Sequence, residues 1–220
     1  ALEPGPNGLQ GNRISLDIVS VGATVNIMIA ATLMPGQTVI ENAAKEPEIV
    51  NIATFLNNMG ANIIGAGTSE IRIMGVNKLN GAYTEVIPDR IEAGTYVIAG
   101  ALVGENLRIE NIIPDHIESL LLKLKEMGVN IEVGDDYAII SRTDNLKSVK
   151  VKTLGYPGFP TDLQQPLTAL LTSCNGASIL EETIYENRFQ NVEYLNKMGA
   201  NIVINDRKIK INGPTTYHGE

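Results

Sequence analysis

Residues 56–64 read LNNMGANII, and the same string returns as LKEMGVNIE at 124–132 and LNKMGANIV at 195–203. The three align without a gap, and their methionines, Met59, Met127 and Met198, stand 68 and 71 residues apart. A second landmark precedes each copy at a similar distance: PGQTVIENA at 35–43, VGENLRIEN at 103–111 and NGASILEET at 175–183. Self-similarity at a fixed period marks a repeated supersecondary unit. The 220 residues therefore hold three copies of a unit of about 70 residues.

Working outward from the string, each copy closes an amphipathic helix. EPEIVNIATFLNNMG carries Ile49, Ile52, Ala53, Leu56 and Met59 at helical spacing and stops at Gly60, the predicted C-cap. In the second copy Ile117, Leu120, Leu121, Leu124 and Met127 form the stripe. Two short strands follow, NIIGAG and EIRIMG in the first copy, around a turn at 67–69. Ahead of the helix, TVIENA is short, β-branched and bounded by turn residues, which predicts a strand. Each unit opens with a mostly apolar helix: SVGATVNIMIAATLM, DRIEAGTYVIAGALV and TDLQQPLTALLTSC. The first is apolar nearly all round and is expected to be buried on most sides. TEVIP at 84–88 is expected to be a strand leading into the second unit, as VKVKTL leads into the third. The plan is β-α-β-α-β-β, an α/β fold with the apolar helices inside and the sheets outside.

Composition narrows the function. With 17 Lys+Arg against 25 Asp+Glu the formal charge is −8, so a general polyanion-binding surface is excluded and nucleic acid is not an expected partner. A phosphate-bearing ligand must be held by a local site. The longest apolar stretch, residues 25–34, is about half of the ~20 residues a bilayer span needs, so no membrane association is expected. The opening ALEPGPNGLQGN has no basic region followed by an apolar block, which leaves cytoplasmic localisation as the expectation. Cys174 is the single cysteine and only His116 and His218 accompany it, so neither an internal disulfide nor a structural zinc site is expected. Cys174 reads as a core thiol late in a buried helix. GAGTSE at 65–70 lacks the dinucleotide-loop spacing and reads as a hairpin.

The strings SVGATVNIM at 20–28, IENAAKEPEIV at 40–50, GAGTSEIRI at 65–73, VIPDRIEAGTY at 86–96, YPGFPTDLQQPLTALL at 156–171 and ETIYENRFQNVEYLNKMGANI at 182–202 resemble the UDP-N-acetylglucosamine 1-carboxyvinyltransferase family of enolpyruvyl transferases. The resemblance implies an inside-out α/β barrel of two domains built from six such units, three of them present here. Residues 1–87 would then be the last unit of one domain and residues 88–220 the first two of the other, with Pro88 interrupting the extended VIPDR segment at the boundary. The implied activity is transfer of enolpyruvyl from phosphoenolpyruvate to the 3-hydroxyl of UDP-N-acetylglucosamine, the first committed step of peptidoglycan precursor synthesis, with no metal or organic cofactor. The family's amino-terminal Lys-Asn pair, its mobile loop with Cys or Asp and a nearby arginine, and its late Asp-Leu-Arg and Asp-Arg-Gly segments have no counterparts in these residues. The resemblance is thus to a central half. By itself that half is expected not to turn over, to bind UDP-N-acetylglucosamine, and to hold phosphoenolpyruvate only together with the missing half. The alternative reading is a catalytically inactive half-enzyme acting as a binding or structural module.

Individual residues carry two readings each. Asp162, in FPTDLQQP, stands before a predicted helix and by local pattern is a cap. By resemblance it is the base facing the sugar hydroxyl, which is a weak nucleophile until its proton is being removed. Thr161 is then a neighbouring substrate contact. Ile18, Val19, Ser20, Val21 and Gly22 lie where an extended segment enters a helix. Locally they give a serine N-cap and a glycine for close packing; by resemblance they bind the diphosphate and uridine, through backbone N–H groups at the helix start. Ile184, in ETIYENRF, reads alone as a core residue in a strand and by resemblance touches the amino sugar through its backbone. Arg188 precedes a helix, where the macrodipole opposes a cation, so it implies either a salt bridge or an anionic ligand. Asp89 and Glu92 have capping-box spacing, and Glu46 and Glu48 fall in a first helical turn. By resemblance Glu46, Glu48, Asp89 and Arg90 lie near the interdomain cleft.

Overall fold

The computed structural model of the chain describes residues 8–219. These residues divide into two compact units between Ile87 and Pro88. The first unit contains β1 (Arg13–Ser15), α1 (Val21–Ala31), β2 (Gln37–Glu41), α2 (Pro47–Asn58), β3 (Asn62–Ile64) and β4 (Glu70–Met74). Its sheet runs β1-β2-β4-β3, with β1 parallel to β2 and the other pairs antiparallel. In β4 the period of two is plain: Ile71 and Ile73 are buried, while Arg72 and Met74 face out. They meet Met28 of α1, Ile40 of β2 and Ile49, Ala53 and Leu56 of α2 in one core.

The repeated string is a helix terminator with a defined hydrogen-bond pattern. At the end of α2, Gly60 adopts φ +102, its N–H donates to the Asn57 carbonyl, and the next N–H, of Ala61, reaches back to the Leu56 carbonyl at 3.0 Å. This is the Schellman arrangement, and glycine takes the left-handed position at no steric cost. Gly128 at φ +87 and Gly199 at φ +104 repeat it, with Val129 N–H to the Leu124 carbonyl and Ala200 N–H to the Leu195 carbonyl. The periodic signal in the sequence is therefore the signal that stops each amphipathic helix and aims the chain into the next strand.

The second unit contains α3 (Arg90–Val103), β5 (Leu107–Glu110), α4 (Glu118–Met127), β6 (Asn130–Val133), β7 (Tyr137–Ser141), β8 (Lys150–Lys152), α5 (Gln164–Leu171), β9 (Gly176–Glu181), α6 (Asn191–Lys197), β10 (Asn201–Asn205) and β11 (Lys208–Gly213). One sheet is β10-β11-β9-β8, the first unit's topology repeated, with β8 parallel to β9; the other is β5-β7-β6. All five stripe residues of the second amphipathic helix, Ile117, Leu120, Leu121, Leu124 and Met127, are buried. Among the described residues no helix is long and apolar enough to cross a membrane.

Two expectations fail. TEVIP forms no strand, and the β5-β7-β6 sheet has three strands where its counterparts have four. Val86 is exposed, and the stretch has no ladder partner among the described residues; β-branched character alone does not make a strand. The apolar helix α1 is not buried on most sides either: only Thr24, Met28 and Ala31 are, and Val21 and Ile29 are exposed. The reason is its company. In the second unit α3 packs against α5 and the turn that leads into it, so closely that a Cβ on Gly94 would lie 2.5 Å from Leu163 Cδ1 at the α5 cap position, whereas α1 has no second apolar helix within its own unit.

Candidate functional site

Along β9, Ser178 and Leu180 are buried and Ile179 and Glu181 are half-buried. Continuing this period one step beyond the strand places Glu182 on the buried face, at 0% exposure. Both its oxygens are occupied. Oε1 accepts from the Thr153 hydroxyl at 2.9 Å, the Ile184 N–H at 2.8 Å and the Tyr185 N–H at 3.1 Å. Oε2 accepts from the Thr161 hydroxyl at 2.7 Å. Four donors satisfy a carboxyl group that would otherwise be costly to bury.

Thr161 opens a short 3-10 turn, Thr161–Leu163, that runs into α5. Arg188 closes the cluster from the loop before α6: Nη1 donates to Thr161 Oγ1 at 2.9 Å and Nη2 to Asp162 Oδ1 at 2.6 Å. The Arg188 guanidinium also lies over the Tyr185 ring, 4.8 Å from its centroid. Thr161, Asp162, Ile184 and Arg188 are thus brought together, with Glu182 at their centre. Asp162 is not a cap. The 3-10 turn moves the start of α5 to Gln164, whose cap position is Leu163 without a side-chain bond, so Asp162 leans to Arg188 with half its side chain exposed. Ile184 is not a core strand residue, because β9 stops at Glu181 and the side chain is 46% exposed. Glu182 was not singled out from the sequence, although the alternation Ser178, Leu180, Glu182 was the available sign.

The remaining predicted residues belong to the first unit. Ser20 is the N-cap of α1, its Oγ accepting from Ala23 N–H at 3.2 Å. Its carbonyl accepts from both the N–H and the hydroxyl of buried Thr24, and that hydroxyl accepts from Ala44 N–H at 3.0 Å, which ties the helix start to the loop after β2. The N–H groups of Val21 and Gly22 have no acceptor among the described residues. Gly22 is not a packing glycine, since a Cβ there would meet nothing within 4 Å. Ile18 and Val19 are exposed. The helix thus presents unused donors at an open, positively polarised end, a local setting for a phosphate oxygen on an acidic chain.

Elsewhere, Asp89 caps α3 by accepting from the N–H groups of Ile91 and Glu92. Cys174 is fully buried, and burial pushes its thiol up to about 11. Among the described residues no group of three or more His, Cys, Asp or Glu side chains could hold a metal ion. Two shallow cavities of the second unit, one beside Asp89, Glu92 and Glu110 and one beside Arg142, Asp144 and Asn145, include none of the substrate-contact residues read from the sequence.

The family model of EPSP synthase (3-phosphoshikimate 1-carboxyvinyltransferase) matches residues 3–220. The chain belongs to the EPSP synthase family. Within it, the chain is 57% identical over 211 residues to UDP-N-acetylglucosamine 1-carboxyvinyltransferase 2 of Geobacillus kaustophilus, covering 96% of this chain and 49% of that protein. It is 57% identical over 212 residues to the protein of the same name from Bacillus subtilis, again 96% of this chain and 49% of the relative. The chain therefore spans about half the length of the curated relatives it matches. Among solved structures, the enolpyruvyl transferase NikO from Streptomyces tendae superposes with a TM-score of 0.86 at 24% identity, over 99% of this chain and 56% of that one. EPSP synthase from Acinetobacter baumannii superposes with a TM-score of 0.66 at 19% identity, over 94% and 49%. These likenesses carry the fold: three repeat units of the enolpyruvyl transferase architecture.

Proposed function

We propose that the chain contributes three units to a UDP-N-acetylglucosamine 1-carboxyvinyltransferase, residues 1–87 as the last unit of one domain and residues 88–220 as the first two of the other. The reaction is transfer of enolpyruvyl from phosphoenolpyruvate to the 3-hydroxyl of UDP-N-acetylglucosamine with release of phosphate. It places the protein in the cytoplasm, in peptidoglycan synthesis, and so in cell wall biogenesis, cell shape and division. Support comes from the identity to relatives of that name.

The observation that carries the chemistry is the state of Asp162. Its Oδ1 is held by Arg188, while Oδ2 has no hydrogen bond among the described residues and half the side chain is exposed. A carboxylate fixed by one oxygen and open at the other suits removal of a proton from a hydroxyl that attacks C2 of the enol. The methylene carbon gains a proton in the addition and loses one as phosphate departs, which restores the double bond. Thr161 precedes Asp162 in the chain, its hydroxyl oxygen accepting from the other amino group of Arg188. Ile184 has its N–H committed to Glu182, so a backbone contact to the amino sugar falls to its carbonyl. The unused N–H groups of Val21 and Gly22, flanked by Ile18, Val19 and Ser20, are the proposed seat of the diphosphate.

Phosphate release by the complete enzyme containing this segment tests the reading. Turnover is expected with phosphoenolpyruvate plus UDP-N-acetylglucosamine and not with phosphoenolpyruvate plus 3-phosphoshikimate. The opposite acceptor preference, or none, would overturn it.

A further inference from the structure

We infer that Glu182, which can touch no substrate, is the positioning residue that holds the Asp162–Arg188 pair and the Ile184–Tyr185 backbone in working geometry. The inference rests on the reading of Asp162 given above. Glu182 is completely buried, yet three of the four groups bonded to it, on Thr161, Ile184 and Tyr185, belong to segments that reading uses. Thr161 adjoins Asp162; Ile184 and Tyr185 form the sugar-side edge; Thr153 follows β8, where the chain begins its return toward Thr161. One carboxyl group therefore fastens two loops, residues 153–161 and 182–185, to each other.

The path from Glu182 to the reacting group is short and directional. The Thr161 hydroxyl donates to Glu182 Oε2, which turns its lone pairs toward Arg188 Nη1; the second arm of the same planar guanidinium then grips Asp162 Oδ1. A guanidinium fixes two acceptors in one geometry, so the Thr161 oxygen and the Asp162 carboxylate are set relative to each other. Were the Thr161 hydroxyl to lose its acceptor, it would be free to rotate, its lone pairs would no longer be held toward Arg188 Nη1, and the guanidinium that grips Asp162 would lose one of its two fixed acceptors. The backbone branch is separate: Oε1 alone receives the Ile184 and Tyr185 N–H groups.

The two branches can be divided by substitution. In Glu182→Gln the amide oxygen still accepts from Thr153, Ile184 and Tyr185, but the amide nitrogen can only donate to Thr161 Oγ1, so that bond reverses, both lone pairs of the hydroxyl oxygen are engaged and its hydrogen loses the acceptor that oriented it. In the complete enzyme, kcat is expected to fall at least tenfold, with KM for UDP-N-acetylglucosamine changed less than threefold. Thr161→Val should give a similar loss, and the double variant should be no worse than either single one, because both cut the same path. A purely structural Glu182 would instead reduce the folded fraction, leave kcat per active site unchanged and combine multiplicatively with Thr161→Val; that result, or a kcat within twofold of wild type, overturns the inference. Amide hydrogen exchange supplies a readout independent of turnover. In Glu182→Ala, protection at Ile184 and Tyr185 should drop at least tenfold while Ile179 and Leu180 keep theirs, and unchanged protection overturns the positioning role even if the acceptor sugar has been misassigned. Failure of wild-type turnover with UDP-N-acetylglucosamine counts against the proposed reaction, whereas failure of the exchange result counts against Glu182.

Discussion

Arg188 grips Asp162 by a single oxygen, Nη2 to Oδ1 at 2.6 Å, and reaches the hydroxyl of the preceding residue, Thr161, with its other amino group. The pair joins a loop before α6 to the turn before α5, segments 26 residues apart in the chain. Because Asp162 is half-exposed, the bond contributes little to stability, typically under about 1 kcal/mol. Its consequence is orientation, and that separates the effects of substitution on folding and on turnover.

Asp162→Asn retains an oxygen for Arg188 and removes the basic site. The melting temperature is expected to stay within a few degrees, while kcat of the complete enzyme falls by roughly 10²–10⁴, the range for losing a general base. Steady-state phosphate release together with a thermal melt checks both, and unchanged kcat would remove Asp162 from the base role.

Cys174 gives a pH prediction of known sign. Its folded thiol is pushed up to about 11 by burial, above the value of the unfolded chain, so folding favours the neutral form. The associated stabilisation is fully present below the ordinary thiol value of 9.0 and is lost as pH rises through about 11. Cys174→Ala opens a small cavity at every pH, but it removes this dependence. The stability gap between wild type and variant, measured by urea unfolding, should therefore shrink by about 2 kcal/mol between pH 7 and pH 11. A constant gap would mean that the thiol ionises as easily folded as unfolded.

How much of this could be read in advance depends on the range of the interaction. The MGAN-type strings, the buried stripe from Ile117 to Met127 and the hairpin after β3 were legible because they follow from local periodicity and a left-handed glycine. The Ser20 cap was legible for the same reason. TEVIP was misread because a strand requires an edge to pair with, and no local pattern reveals one. Asp162 looked like a cap because nothing local announces that Arg188 will be folded against it. Glu182 lay in phase with Ser178 and Leu180, but a glutamate at the end of a strand is usually exposed. Its burial makes sense only once the donors on Thr153 and Thr161 are in place.

Asn57 offers a test of the repeat itself. Its side chain brackets Ile63, donating to the carbonyl at 2.8 Å and accepting from the N–H at 2.9 Å, and Asn196 does the same to Ile202 at the same two distances. The middle copy has Lys125 at this place. Asn57→Ala and Asn196→Ala each leave a partly buried N–H and carbonyl without a protein partner and should cost about 1–3 kcal/mol. Lys125→Ala should cost under about 0.5 kcal/mol. Denaturant midpoints at constant m-value decide it, and equal effects at all three positions would show that the bracket contributes nothing.

Gly22 separates a packing glycine from a ligand glycine. It lies within α1, its φ is not in the left-handed range, and an added Cβ would meet no atom within 4 Å. Inside a helix, alanine is favoured over glycine by roughly 0.5–1 kcal/mol, so Gly22→Ala should hold or raise the melting temperature. The added methyl nevertheless stands at the open end where the Val21 and Gly22 N–H groups have no acceptor among the described residues. If a diphosphate lies against that backbone, the methyl keeps it away, and the Kd for UDP-N-acetylglucosamine in the complete enzyme should weaken at least tenfold by calorimetry. Unchanged affinity with raised stability would place the diphosphate elsewhere and leave Gly22 without a binding role.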